Sequence, residues 1–103
     1  MVIFHFDKNA QSLKCSFQGK LDTVATNELQ EELTTAIDKN LGEGQGSLIF
    51  DFEKVNFITS AFIRLCVVSA RKVGQENFSI VNTNPLIKKT LQIAGLDQQL
   101  NVS

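Results

Sequence analysis

Tryptophan and tyrosine are absent from this chain, and histidine, proline and methionine each occur once. Without Trp or Tyr it cannot form the polar-tipped aromatic belt of a membrane interface, so its eight Phe serve to fill apolar space. One histidine, and two cysteines far apart at Cys15 and Cys66 with no Cys-x-x-Cys, exclude a Cys/His metal cage. Excess charge is lacking too. A formal net charge of -1 provides neither a basic footprint for nucleic acid nor a pull toward an anionic membrane surface. No apolar run approaches the length of a membrane span, so direct membrane insertion is not expected. The opening "MVIFHFDKNAQSLK" has no basic start followed by a long apolar segment, which argues against a secretory signal and for the cytoplasm. Both cysteines sit at apolar-patterned positions and read as buried free thiols, with a disulfide as the weaker alternative.

What is present fits one domain spanning 1–103. The chain has 103 residues, 43% of them hydrophobic and 20% charged, which suits a single globular core. In "VIFHFD", Val2, Phe4 and Phe6 alternate with Ile3, His5 and Asp7. In "LKCSFQG", Leu13, Cys15 and Phe17 alternate with Lys14, Ser16 and Gln18. Period two predicts half-buried strands, and the polar link around Asn9 predicts an antiparallel hairpin. Asp22 or Thr23 is placed to cap a helix whose apolar stripe is Leu29, Leu33, Ala36 and Ile37. "LGEGQG" reads as the helix exit and not as a phosphate cradle, since no Lys-Ser/Thr follows its glycines.

"SLIFDF" is a short apolar run predicted as a central strand, linked by "EKVNF" to the stretch "FITSAFIRLC". A helix over 61–73 follows, then a strand in "NFSIVN". A last helix has Asn84 at its cap, Pro85 at its first position and Gly95 just past its end, with Ile87, Leu91 and Ala94 facing inward. "DQQLNVS" is a short tail with one edge pairing. The element order β-β-α-β-α-β-α implies an α/β fold. Its mixed β-sheet has four to five strands, with helices packed mainly on one face.

Chemistry concentrates at the start of the second helix. Thr59 and Ser60 are candidates both for the helix N-cap and for phosphorylation, because free N–H groups and the helix dipole would receive a phosphate there. The cap leads. Phe62, Leu65, Cys66 and Ser69 form a stripe beside that of Ile63, Val67 and Ala70. So wide an apolar arc reads as deep burial or as an anchor offered to a partner through Phe62 with Leu65 or Cys66. Asp51 ends the apolar strand, where open sheets place functional groups or cap the next turn. His5 has no nearby nucleophile, and no acid/base pair or nucleotide motif appears. No enzyme activity and no cofactor are therefore expected.

The run from "LIFDFEKVNFITSAFIRLC" through "FSIVNTNPLIKKTLQIAGLD" resembles the STAS family, the domain of bacterial anti-sigma factor antagonists. "FQGKLDTVATNELQEEL" is similar to that family's entry into its first helix. The resemblance implies a STAS-like fold and a non-catalytic module that acts by partner switching. It implies an anti-sigma factor or GHKL-type serine kinase as partner, and a phosphatase to reverse phosphorylation. A lipid-transport ABC system, with the domain bound to its ATPase, is the alternative it implies. Aligned on the family turn, Ala61 occupies the usual phosphoacceptor slot, leaving Ser60 and Thr59 as the remaining hydroxyls. Phe62 stands where the family keeps glycine. Partner contacts are thus expected at Phe62, Ala61, Leu65, Cys66 and Asp51, and a homodimer through the apolar second helix is left open.

Overall fold

Residues 1–42 and 46–103 are described in the structure, a computed structural model. The expected order is observed: β1 (Val2–Asp7), β2 (Ser12–Leu21), α1 (Thr23–Leu41), β3 (Ser47–Ile58), α2 (Ser60–Val73), β4 (Phe78–Val81) and α3 (Pro85–Ile93). A short 3-10 turn, Gln75–Asn77, leads into β4. The strands form one sheet in the order β1-β2-β3-β4. β1 pairs antiparallel with β2, and the β2–β3 and β3–β4 pairs are parallel. The parallel pairs follow from the intervening helices, which carry the chain back to the same end of the sheet.

Alternation along β2 holds as predicted. Leu13, Cys15 and Phe17 are buried, while Lys14, Ser16 and Gln18 lie half-buried on the other face. The hairpin before it turns at Asp7, whose carboxylate accepts from the backbone N–H groups of Asn9 and Ala10. Asp22 is the α1 cap and accepts from the Ala25 N–H at 2.9 Å. Leu29, Leu33 and Ile37 are the buried stripe of α1. Gly42 follows α1 with φ of 60°. The rest of the "LGEGQG" exit, residues 43–45, lies outside the described residues.

β3 corrects the sequence reading. "EKVNF" is not a link: the strand runs on through it to Ile58. The register with β2 slips twice, between Ser16 and Gln18 and between Gly19 and Lys20, each time placing an extra residue in β3. Two bulges change the inward spacing from two to three, so the buried apolar residues are Leu48, Phe50, Phe52, Val55 and Ile58. A strand with that spacing no longer looks like one in the sequence.

α3 is locally determined. Asn84 Oδ1 accepts from the Ile87 N–H at 2.9 Å, and Asn84 Nδ2 reaches the Val55 carbonyl at 3.3 Å. The helix closes in a Schellman motif. Gly95 N–H bonds to the Gln92 carbonyl and Leu96 N–H to that of Leu91, with Gly95 at φ 75°. Ile87 and Leu91 face inward as predicted, but Ala94 is exposed because the helix has already ended at Ile93. The tail makes its edge pairing, Val102 bridging parallel to Ile80 of β4.

Asn84 both caps α3 and ties it to β3. Asn84→Ala should therefore cost about 1–2 kcal/mol of unfolding free energy, the upper part of the range for a lost cap. Urea denaturation at neutral pH measures it.

Candidate functional site: the turn between β3 and α2

The ends of β2 and β3 are locked together where two helices begin. Lys20 pairs with Phe57 and Leu21 with Ile58. Thr59 then donates twice to the Leu21 carbonyl, from its backbone N–H at 3.2 Å and from Oγ1 at 3.0 Å. This double tether sets the start of α2 beside the start of α1.

The same tether occupies the hydroxyl that the sequence assigned to capping. Thr59 stands in the N-cap position, with φ -113° and ψ 170°, but makes no side-chain cap bond. The first helical bond runs from the Ile63 N–H to the Thr59 carbonyl. The N–H groups of Ser60 to Phe62 thus have neither an intrahelical partner nor a side-chain acceptor, although Phe62 itself is buried. Ser60 is exposed, Ala61 half-buried and Arg64 exposed one turn on. Beside them runs a groove between α1 and α2, lined by Asn27, Arg64, Leu65, Val68 and the buried Thr26 hydroxyl, which has no hydrogen-bond partner.

Phe62 is elsewhere. Its ring has 0% exposure and packs edge-on against Phe17 at 5.1 Å between centroids, with Phe52 at 5.7 Å. Cys66 is 1% and Leu65 6% exposed. An anchor built from Phe62 and Cys66 is corrected by this burial: their stripe faces the sheet, and only Leu65 reaches the groove wall. Of the large apolar side chains of α2, Val68 alone is exposed among the described residues. The exposed side chains of the first turn of α2 are polar, Ser60 and Arg64, with the exposed ring of Phe57 just before them at the end of β3.

Asp51 is not at the turn. The remainder of β3, with both bulges, separates them, and Asp51 points to the face opposite Phe50 and Phe52. There it accepts from Asn82 Nδ2 and the Glu53 N–H, both at 3.0 Å, and pairs with Lys14 Nζ at 3.3 Å. Burial pushes its carboxyl upward, but the bonds from Asn82, Glu53 and Lys14 outweigh that and hold it below the ordinary carboxylate value. Asp51 therefore clamps β2, β3 and the end of β4. Sequence reasoning missed Asn82 and Lys14 as its partners, since only the sheet order brings them together. Both cysteines are free and buried, and burial raises the Cys15 thiol to about 12 and lifts that of Cys66 as well. Neither is a reactive thiolate. Among the described residues no group of His, Cys, Asp and Glu could hold a metal ion.

The family profile described as "STAS domain" matches residues 6–103. The anti-sigma-F factor antagonist RsfB of Mycobacterium tuberculosis is 24% identical over 84 residues, which cover 81% of this chain and 66% of that protein. The matched part is thus just under two thirds of that relative. An anti-sigma factor antagonist from Mycobacterium paratuberculosis has a similar fold, with a TM-score of 0.82 at 18% identity. That match covers 99% of this chain and 83% of the other. The Bacillus cell fate determinant SpoIIAA, in its phosphorylated form, aligns with a TM-score of 0.67 at 20% identity. It covers 100% of this chain and 91% of SpoIIAA.

Two outcomes follow from the geometry. Phe62→Ala should lose about 3–5 kcal/mol of stability, the cost of emptying an aromatic core site, whereas a surface anchor would lose almost none. Chemical denaturation distinguishes the two. Because the folded pKa of Asp51 is depressed, its contribution is complete above the unfolded carboxylate value and disappears as pH falls through the folded one. The stability gap between wild type and Asp51→Asn should accordingly narrow as unfolding is measured at successively more acidic pH.

Proposed function

The chain belongs to the STAS domain family, and from that premise we propose that it is a non-catalytic regulatory module of the anti-sigma factor antagonist kind. It would bind an anti-sigma factor or GHKL-type serine kinase through the β3–α2 turn and so displace a sigma factor. The observation that carries this reading is the turn itself: a helix start with uncapped N–H groups, held rigid by Thr59 and flanked by exposed Ser60 and Arg64. The Ser60 N–H and the Arg64 guanidinium, on a helix start fixed by the Thr59 tether, would need little reordering to dock, which favours binding.

The same geometry ranks the hydroxyls. Ser60 is exposed at the first helical position, where a phosphate would add about -1.5 to -2 charge at pH 7 next to free N–H groups. Thr59 is committed to Leu21, and Ala61 offers no oxygen. Ser60 is accordingly the residue that a kinase would modify and a phosphatase restore. The phosphate would cover the donors that a partner reads, switching the surface by charge and bulk.

Binding to a purified anti-sigma kinase from the same genome tests the interface. Ser60→Asp and Arg64→Glu should each weaken it at least tenfold, and Glu76→Ala, beyond the far end of α2, should leave it unchanged. If both turn variants bind like wild type, the turn is not the interface. Incubation with that kinase and ATP should place phosphate on Ser60 and not on Thr59, as read by tandem mass spectrometry. Ala61→Ser should add a second modified position.

A further inference from the structure

The two edges of the sheet are finished differently. At β4 the chain covers its own edge: Ser103 N–H donates to the Ile80 carbonyl, Ile80 N–H to that of Asn101, and Asn101 Nδ2 to that of Phe78. At β1 nothing among the described residues pairs with the outer side. The Gln18 N–H donates to the Met1 carbonyl, and Met1 and Gln18 stand one step beyond the Val2–Phe17 partner pair. In an antiparallel pair the bonded positions alternate, so Ile3, His5 and Asp7 turn their backbone groups to β2. Val2, Phe4 and Phe6 turn theirs outward. Exposed edges are ordinarily blunted by Lys, Pro or a bulge. β1 has none of these: it reads VIFHFD, and its register with β2 is unbroken.

Beside this edge lies a groove between β1 and α1. Phe4 and Ala36 form its apolar part, and Glu28, Glu31 and Glu32 line it against one cation, Lys39. A strand added to β1 would direct every second side chain over this groove, because strand side chains alternate between faces. Three carboxylates to one ammonium select basic side chains at those positions. The same charges oppose a second copy of this chain: antiparallel pairing of two β1 strands would bring two sets of glutamates to one side of the joined sheet.

We propose that the free edge of β1 is a docking site for an extended partner segment with basic residues at alternate positions, added as a fifth strand with those side chains over Glu28, Glu31 and Glu32. Such strand addition takes affinity from main-chain hydrogen bonds and specificity from alternate side chains. The site is separate from the β3–α2 turn, and it would stand if the turn reading failed.

The test uses the full chain with two synthetic hexapeptides, one alternating Lys and Val and the other alternating Glu and Val. Fluorescence anisotropy measures affinity, and NMR hydrogen exchange reads single amides. The Lys/Val peptide should bind at least tenfold more tightly than the Glu/Val one. It should slow exchange at Val2, Phe4 and Phe6, leaving Ile3 and His5 unchanged. The double variant Glu31→Lys/Glu32→Lys changes exposed helix positions and should reverse the preference between the peptides. Equal binding of both peptides, or binding without slowed exchange at the three edge amides, overturns the proposal. So does slow exchange at those amides in the free protein together with a dimer in sedimentation, since the occupant would then be a second copy.

Discussion

The edge-on contact between Phe17 and Phe62 is the constraint on which the site depends. Phe17 of β2 also meets Phe50 at 4.9 Å and Phe52 at 6.0 Å, and Phe50 meets Phe78 of β4 at 4.9 Å. One chain of rings therefore ties β4, β3 and β2 to the first turn of α2. Edge-to-face pairs of this kind contribute roughly 0.5–1.5 kcal/mol each beyond their buried area. With its ring drawn into the sheet, Phe62 fixes the rotation of α2, and Ser60 and Arg64 are left outside. The Phe62 ring thus enlarges the core without covering the turn.

A second lock acts across the other face. Asp51, Lys14 and Asn82 join three strands through a carboxylate that is mostly buried and fully hydrogen-bonded. Removing one partner would leave a desolvated charge, so the network has value as a set more than as separate pairs. The rings hold the end of the sheet beneath the start of α2, and the carboxylate joins the strands further back along β3. Thr59 completes the arrangement by binding Leu21 in place of capping its own helix.

Much of this was legible in the sequence wherever the signal was local. The alternation of β2, the cap of α1 at Asp22 or Thr23 and the Asn84-Pro85 start of α3 each depend on residues close along the chain, and the structure agrees with each, taking Asp22 as the cap. The second half of β3 was not legible, because two bulges replaced the period of two that marks a strand. Phe62 stayed open between burial and a partner anchor for a different reason. A helix apolar over a wide arc has two sides, and only the position of Phe17 decides which side meets the sheet. Asp51 likewise looked like the end of a strand when its partners, Lys14 and Asn82, lay far off in sequence. The family resemblance supplied the place of the turn; the structure supplied which of its atoms are outside.

In the function proposed above, a partner would contact the exposed start of α2 while the aromatic ring beneath stays buried. Hydrogen–deuterium exchange of the full chain, alone and saturated with a purified anti-sigma kinase from the same genome, tests that contact. New protection should be confined to residues 59–64 and the facing first turn of α1. Protection that appears elsewhere, with 59–64 exchanging as in the free protein, would contradict it.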